Sequence, residues 1–371
     1  MLGVLSIWPS ETWLLTLSSD PVGAVEVLVR CPGDFGIPEH PSVIHDSTDT
    51  HLGKSSLRTM ASTSTSTAQV SRSVAKSVYA QEKSEGVGAR VRRSIGTPAL
   101  KNLSPFLMLD DFTVKRGAGF PDHPHRGQST ITYVLGGKMQ HEDFMGNRGT
   151  LGVGDLQWMT AGKGIMHSEM PLFDSDDENA PDAVGLQLWV DLPADKKFCE
   201  PSYQEKKADE IDKVSPSEGV EITVISGESH GVTGFVRPVG GCWYFDFKLT
   251  RPGATVFQPI RAGWTSFIYV LKGQVAVGDE PFPHSAHNTL VLTSQASESG
   301  VQLTRPPNTT EDTHFVLIAG EPLDQRVIQY GPFVVNTAQQ VQDAFEDFQL
   351  GKNGFEKAPG WTSEIGKAMK H

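Results

Sequence analysis

From about Val70 onward the chain reads as short runs of alternating apolar and polar residues, each closed by glycine, proline or an Asn/Asp turn. A period of two, interrupted this often, predicts β-strands and an all-β fold. Two of the runs repeat each other. Ile131-Thr132-Tyr133-Val134-Leu135 precedes Gly136-Gly137, and Phe267-Ile268-Tyr269-Val270-Leu271 precedes Lys272-Gly273, so that Tyr-Val-Leu-x-Gly begins at Tyr133 and again at Tyr269. A domain-sized period predicts duplication of one β-domain instead of a solenoid. The expected organisation is an N-terminal domain over 70–192, a polar Lys- and Glu-rich linker excursion over 193–217, and a C-terminal domain over 218–371. The acidic stretch from Asp174 to Asp182 reads as a solvated loop before an apolar strand through Leu186, Leu188 and Val190. Late in the chain the period changes. Val341, Ala344, Phe345 and Phe348 fall at i, i+3, i+4 and i+7 after the Asn336-Thr337 cap and before Gly351, predicting a short amphipathic C-terminal helix that buttresses the fold.

The N-terminal extension, 1–69, reads differently. The run Ser62-Thr63-Ser64-Thr65-Ser66-Thr67 has nothing to bury, and this extension is expected to be disordered. Met60, directly before that run, offers an alternative start codon that would make residues 1–59 an artefact of the gene model. No acidic residue occurs between Thr50 and Gln81, a composition that permits an organelle transit peptide, but the disordered leader is the preferred reading. Glu11 interrupts the N-terminal apolar patch and the first basic residue is Arg30, so no secretory signal is assigned.

The 371 residues suffice for two domains with their own cores. A formal net charge of −12, from 44 acidic and 32 basic residues, disfavours direct nucleic-acid binding. The small basic cluster Arg90, Arg92 and Arg93 reads as a strand edge with salt bridges. Three cysteines, Cys31, Cys199 and Cys242, form no CxxC motif and imply neither a disulfide framework nor a zinc knuckle. No apolar run approaches the length of a spanning helix. An intracellular chain without a membrane partner is expected.

The chemistry lies in two pairs. His123-Pro124-His125 sets two imidazoles at i and i+2, on one face of an extended segment that Pro124 stiffens. His167-Ser168-Glu169 repeats that spacing after a turn with Gly162 and Gly164. Two such pairs on facing strands would close on one ion. Three imidazoles and a carboxylate, without a thiolate, suit Fe(II), Mn(II), Ni(II), Cu(II) or Zn(II), with iron preferred. A lone His-x-His is a weak signal, because paired surface histidines usually bind nothing; two same-face pairs flanking a Tyr-Val-Leu strand are a strong one. His141 reads as a turn cap or as support behind the ligands, and His284 and His287 as surface groups. The repeat is an internal control: the shift that lays Tyr269 on Tyr133 sets Pro259 against His123 and Arg261 against His125. Neither can bind a cation, so the second domain is expected to hold no metal.

These residues resemble the pirin family of bicupins. His123-Pro124-His125-Arg126-Gly127 resembles the family's first metal motif. Gly154-Asp155-Leu156-Gln157-Trp158-Met159-Thr160-Ala161-Gly162, leading to His167-Ser168-Glu169-Met170-Pro171, resembles its second. Glu85–Ser94, Leu109-Asp110-Asp111-Phe112 and Gly331–Thr337 match further, and the likeness runs from about Ser73 to the C-terminus; the N-terminal extension has no counterpart. The resemblance implies two cupin (jelly-roll) β-barrels packed together, with one Fe(2+) per chain in the first, held by His123, His125, His167 and Glu169. The glutamate usual a few residues after the second cupin histidine is absent, since Ser129 and Thr130 stand there, and Glu169 supplies the carboxylate.

Pirins are described both as flavonol-cleaving dioxygenases and as nuclear transcription co-regulators. The first reading is a quercetin 2,3-dioxygenase activity, with a flavonol-like molecule and O₂ as substrates and Glu169 as ligand and base. The alternative is an iron-dependent redox sensor acting as a co-regulator through a transcription-factor protein. A relic site in a structural protein is the third. A monomer in the nucleus and/or cytoplasm is expected.

Overall fold

The computed structural model describes residues 2–8, 11–19, 25–29, 69–173 and 180–367. Leu2–Trp8, Glu11–Ser19 and Val25–Val29 form a three-stranded sheet by themselves. The rest of the extension expected to be disordered, with Met60 and the Ser/Thr run, lies outside the described residues, as does most of the acidic loop.

The remainder forms two β-barrels, each from a seven-stranded and a four-stranded sheet. In the first barrel the larger sheet runs Ser202–Lys206, Leu156–Thr160, Gln128–Gly136, Ala183–Asp191, Phe106–Val114, Ala89–Arg93, Gln81–Glu85. The smaller runs Arg148–Leu151, Met139–Asp143, Ile165–Pro171, Phe120–His125. In the second barrel Val220–Ser226, Cys242–Leu249, Thr313–Gly320 and Thr265–Lys272 form the middle of the larger sheet.

Alternation along these strands explains the packing. Odd-numbered Ile131 and Tyr133 of Gln128–Gly136 face the other barrel, whereas even-numbered Thr132 and Val134 face inward. The equivalent strand of the second barrel sends Phe267 and Tyr269 to the interface and Ile268 and Val270 inward. Both strands are therefore covered on two faces, which is why their apolar runs are nearly continuous. Leu109, Leu186 and Leu188 join Tyr244, Val316 and Ile318 in that shared core, and Phe106 meets Phe267 edge-on with ring centroids 5.0 Å apart. The repeated tyrosines reciprocate: Tyr133 Oη donates to Asp246 and Tyr269 Oη to Asp111, each at 2.8 Å.

Both ends of this unit cross between barrels. Val74–Tyr79 pairs with Asn288–Leu292 at the edge of the second barrel's sheet. In the other direction, the predicted helix forms at Ala338–Leu350, capped by Thr337 and ended by Gly351 at φ +63°. Ala344, Phe345 and Phe348 pack with Phe144, Met159 and Ile165, so the helix buttresses the first barrel. Within the 193–217 excursion, Ser202–Lys206 extends the first barrel's sheet and Lys213–Val214 the second's. The basic cluster is neutralised as expected: Arg90 and Arg92 meet Glu82, and Arg93 meets Glu85 and Asp110.

Candidate metal centre

Phe120–His125 and Ile165–Pro171 are adjacent antiparallel strands, not strands facing across the barrel. Register puts His123 directly opposite His167 and His125 opposite Ile165. A bulge between His167 and Glu169 shifts the register there, the usual way for a strand to re-aim one side chain. All four side chains turn into the barrel and are buried, none more than 5% exposed.

His123 Nε2 and His167 Nε2 lie 3.0 Å apart. The ring centroids are separated by 4.5 Å for His123 and His167, 4.9 Å for His123 and His125, and 5.1 Å for His125 and His167. One ring nitrogen of each falls within 4.8 Å of the other two, and no other such cluster occurs among the described residues. Glu169 Oε2 is 3.9 Å from His167 Nε2, beside this triad. Thr132 Oγ1 donates to Glu169 Oε1 at 2.9 Å, and Gln187 Nε2 donates to Oε2 at 3.0 Å.

Burial is the largest influence on the imidazoles, because a charged ring would lose its hydration. Together with neighbouring His167, it lowers His123 to about 4. Burial, then the nearby His141, lowers His167 to about 3. His125 is driven well below its ordinary value by burial and by the other two rings. The cluster is neutral near pH 7. Three uncharged nitrogens converging without a cation among them repel through their lone pairs unless a proton or a metal intervenes. The donor set fits a divalent first-row ion in this barrel.

Support behind the cluster comes from neighbouring residues, of which motif reading passed over Pro121, Gln128 and Trp189. His123 Nδ1 lies 2.7 Å from the Pro121 carbonyl, and His125 Nδ1 lies 2.8 Å from the Gln128 amide. Trp189 stands edge-on to His125 at 5.1 Å. His141, read from sequence as a turn cap or as support behind the ligands, pairs with Glu169 across the sheet and meets Glu205 at 2.6 Å. Gln157 bonds the same Glu205 carboxylate. Arg126, next to His125, is held by Asp347 at 2.9 Å and by the Asn353 carbonyl at 2.7 Å, both in the C-terminal segment. The signal for Gln128, Thr132 and Gln187 was present only as polar residues at inward strand positions.

The other histidines stay outside. His284 pairs with Glu280 at 2.9 Å and His287 lies 3.6 Å from Asp111, and both are partly buried instead of free surface groups. Arg261 stacks between Trp243 and Trp264, with its guanidinium 5.2 and 5.0 Å from the two rings.

The model of the Pirin family matches residues 88–190, and that of the Pirin C-terminal cupin domain matches residues 244–354. Pirin from Homo sapiens is 51% identical over 299 residues, which cover 80% of this chain and 99% of that protein. The structure of a quercetin 2,3-dioxygenase from Acinetobacter baumannii superposes with a TM-score of 0.69 at 30% identity, covering 77% of this chain and 99% of that one. A bacterial pirin from Escherichia coli in complex with nickel(II) shares the fold, with a TM-score of 0.52 at 20% identity over 67% of this chain and 99% of its own. With two cupin barrels and a histidine cluster in the first, this chain belongs to the pirin family.

Proposed function

We propose that the chain is an iron-dependent dioxygenase that opens the ring of a flavonol of the quercetin class, consuming O₂ and releasing carbon monoxide. The observation that carries this reading is the convergence of three neutral, buried imidazoles beside a carboxylate held at both oxygens. The likeness to a quercetin 2,3-dioxygenase at 30% identity supports the substrate class.

His123, His125, His167 and Glu169 would hold the ion. Bound iron(II) would supply Lewis-acid and one-electron redox chemistry at the point where these donors meet. Glu169 has a second task as the base: a carboxylate oxygen takes the proton of the flavonol 3-hydroxyl as the substrate arrives. Thr132 and Gln187 donate to opposite oxygens and fix the plane of the carboxylate, so the proton is received at a defined place. The buried walls keep bulk water from competing for it.

Quercetin turnover by the iron-loaded protein, followed by loss of the flavonol absorption band and by carbon monoxide release, tests the reading. Turnover is expected in the wild type and absent in His123→Ala. Glu169→Gln should lose roughly 10²–10⁴-fold, the usual contribution of a positioned base. Iron-loaded wild type that leaves quercetin unchanged would contradict the proposal and favour a sensor that works through a protein partner.

A further inference from the structure

The three imidazoles are not supported alike. The Pro121 carbonyl can only accept, so His123 Nδ1 carries the ring proton and its Nε2 presents a lone pair to the cluster. Buried His167 Nδ1 has no hydrogen-bond partner among the described residues. His125 alone is met at Nδ1 by a side chain, the Gln128 amide, 2.8 Å away and fully buried.

An amide is nearly symmetric in shape, so which of its two ends faces the ring is a chemical choice between donor and acceptor. With the NH₂ end toward Nδ1, the proton of neutral His125 must sit on Nε2, where it blocks a metal. This orientation leaves the buried Gln128 Oε1 without a partner. With the carbonyl end toward Nδ1, Oε1 accepts Nδ1–H and Nε2 is free to donate its lone pair to an ion. The turn gives up only a long contact of 3.4 Å from the amide nitrogen to the Pro332 carbonyl. Each orientation leaves one end of the amide poorly satisfied, so neither dominates on hydrogen bonding alone, and a bound ion decides between them.

We infer that Gln128 is a positioning residue whose amide selects the tautomer of His125 and so sets how readily the first barrel accepts a metal. The inference rests on the metal reading above. The second barrel agrees: at the equivalent inward position of the repeat stands Trp264, with no amide and no histidine to orient.

Zn(II) affinity of the full chain, measured by chelator competition, is the test, joined by imidazole ¹⁵N spectra of the Zn(II)-loaded form. Gln128→Met keeps the volume and removes the acceptor; affinity should fall about 10–100-fold, and the protected Nδ1–H of His125 should be lost. Gln128→Glu, ionised beside the bound cation, can only accept, and should bind Zn(II) at least as tightly as the wild type. Equal affinity in Gln128→Met, or weakening by Gln128→Glu as large as by Gln128→Met, would overturn the role of Gln128 while leaving the metal site standing. Failure of the wild type itself to bind Zn(II) would overturn the metal reading, and this role with it.

Discussion

Inside the first barrel Thr132 donates to Glu169, and its cross-strand partner Gln187 holds the other carboxylate oxygen. The equivalent of Thr132 in the second copy is Ile268, whose cross-strand partner is Leu317; both belong to the apolar cluster with Phe245, Phe247 and Phe315. The pattern recurs around the barrel. His141 pairs with Glu169 in the first, whereas Val277 pairs with Leu303 in the second. Gln128 gives way to Trp264. The interface residues do not follow this divergence, since Tyr133 and Tyr269 keep reciprocal hydrogen bonds. One duplicated scaffold thus holds a polar interior and an apolar one. The polar interior is tolerable where its groups are paired, as at Glu169, and leaves His167 Nδ1 and Gln128 Oε1 unpaired among the described residues, whereas the apolar one contributes burial that needs no partner.

Acid should expose this contrast most strongly. The His123 and His167 rings hold their protons only below about 4 and about 3, whereas unfolded histidine titrates near 6.5. Between those limits the unfolded chain binds more protons, so the stability of the metal-free protein falls as pH drops through that window. From pH 7 to 5 the loss for His123 and His167 together should reach at most about 4 kcal/mol, with His125 acting in the same direction. Urea midpoints against pH measure it, and His167→Gln should flatten the slope; an unchanged slope would mean the rings are not buried neutral groups.

Exchanging residues between barrels is the next strongest probe. Ile268→Thr places a hydroxyl among apolar neighbours and should cost about 2–4 kcal/mol. Thr132→Val removes one donor from Glu169 and should cost only about 1–2 kcal/mol. Equal costs in chemical denaturation would contradict the distinction between polar and apolar interiors. The smallest effect belongs to the shared interface. Tyr133→Phe and Tyr269→Phe should each lose about 1 kcal/mol, alike in size because the two bonds are alike.

Much of this was legible in the chain. Strand alternation, the Tyr-Val-Leu-x-Gly repeat, the Thr337 cap and the i, i+2 pairs His123/His125 and His167/Glu169 are local patterns, and the structure has all of them. The crossing of Val74–Tyr79 into the second barrel and the packing of Ala338–Leu350 on the first depend on contacts between residues far apart in sequence, which no local period reports. The neighbours of Glu169 were hidden for the same reason: Thr132 and Gln187 meet only through strand register. Comparing inward positions of the two copies, Thr132 with Ile268 and Gln128 with Trp264, would have pointed to them.

If His123, His125, His167 and Glu169 hold the chain's metal in the first barrel, metal analysis of the purified full chain should find about one equivalent of a first-row transition metal, and its His123→Ala variant should lose nearly all of it. Less than about half an equivalent in the wild type, or the same content in both proteins, would contradict that reading.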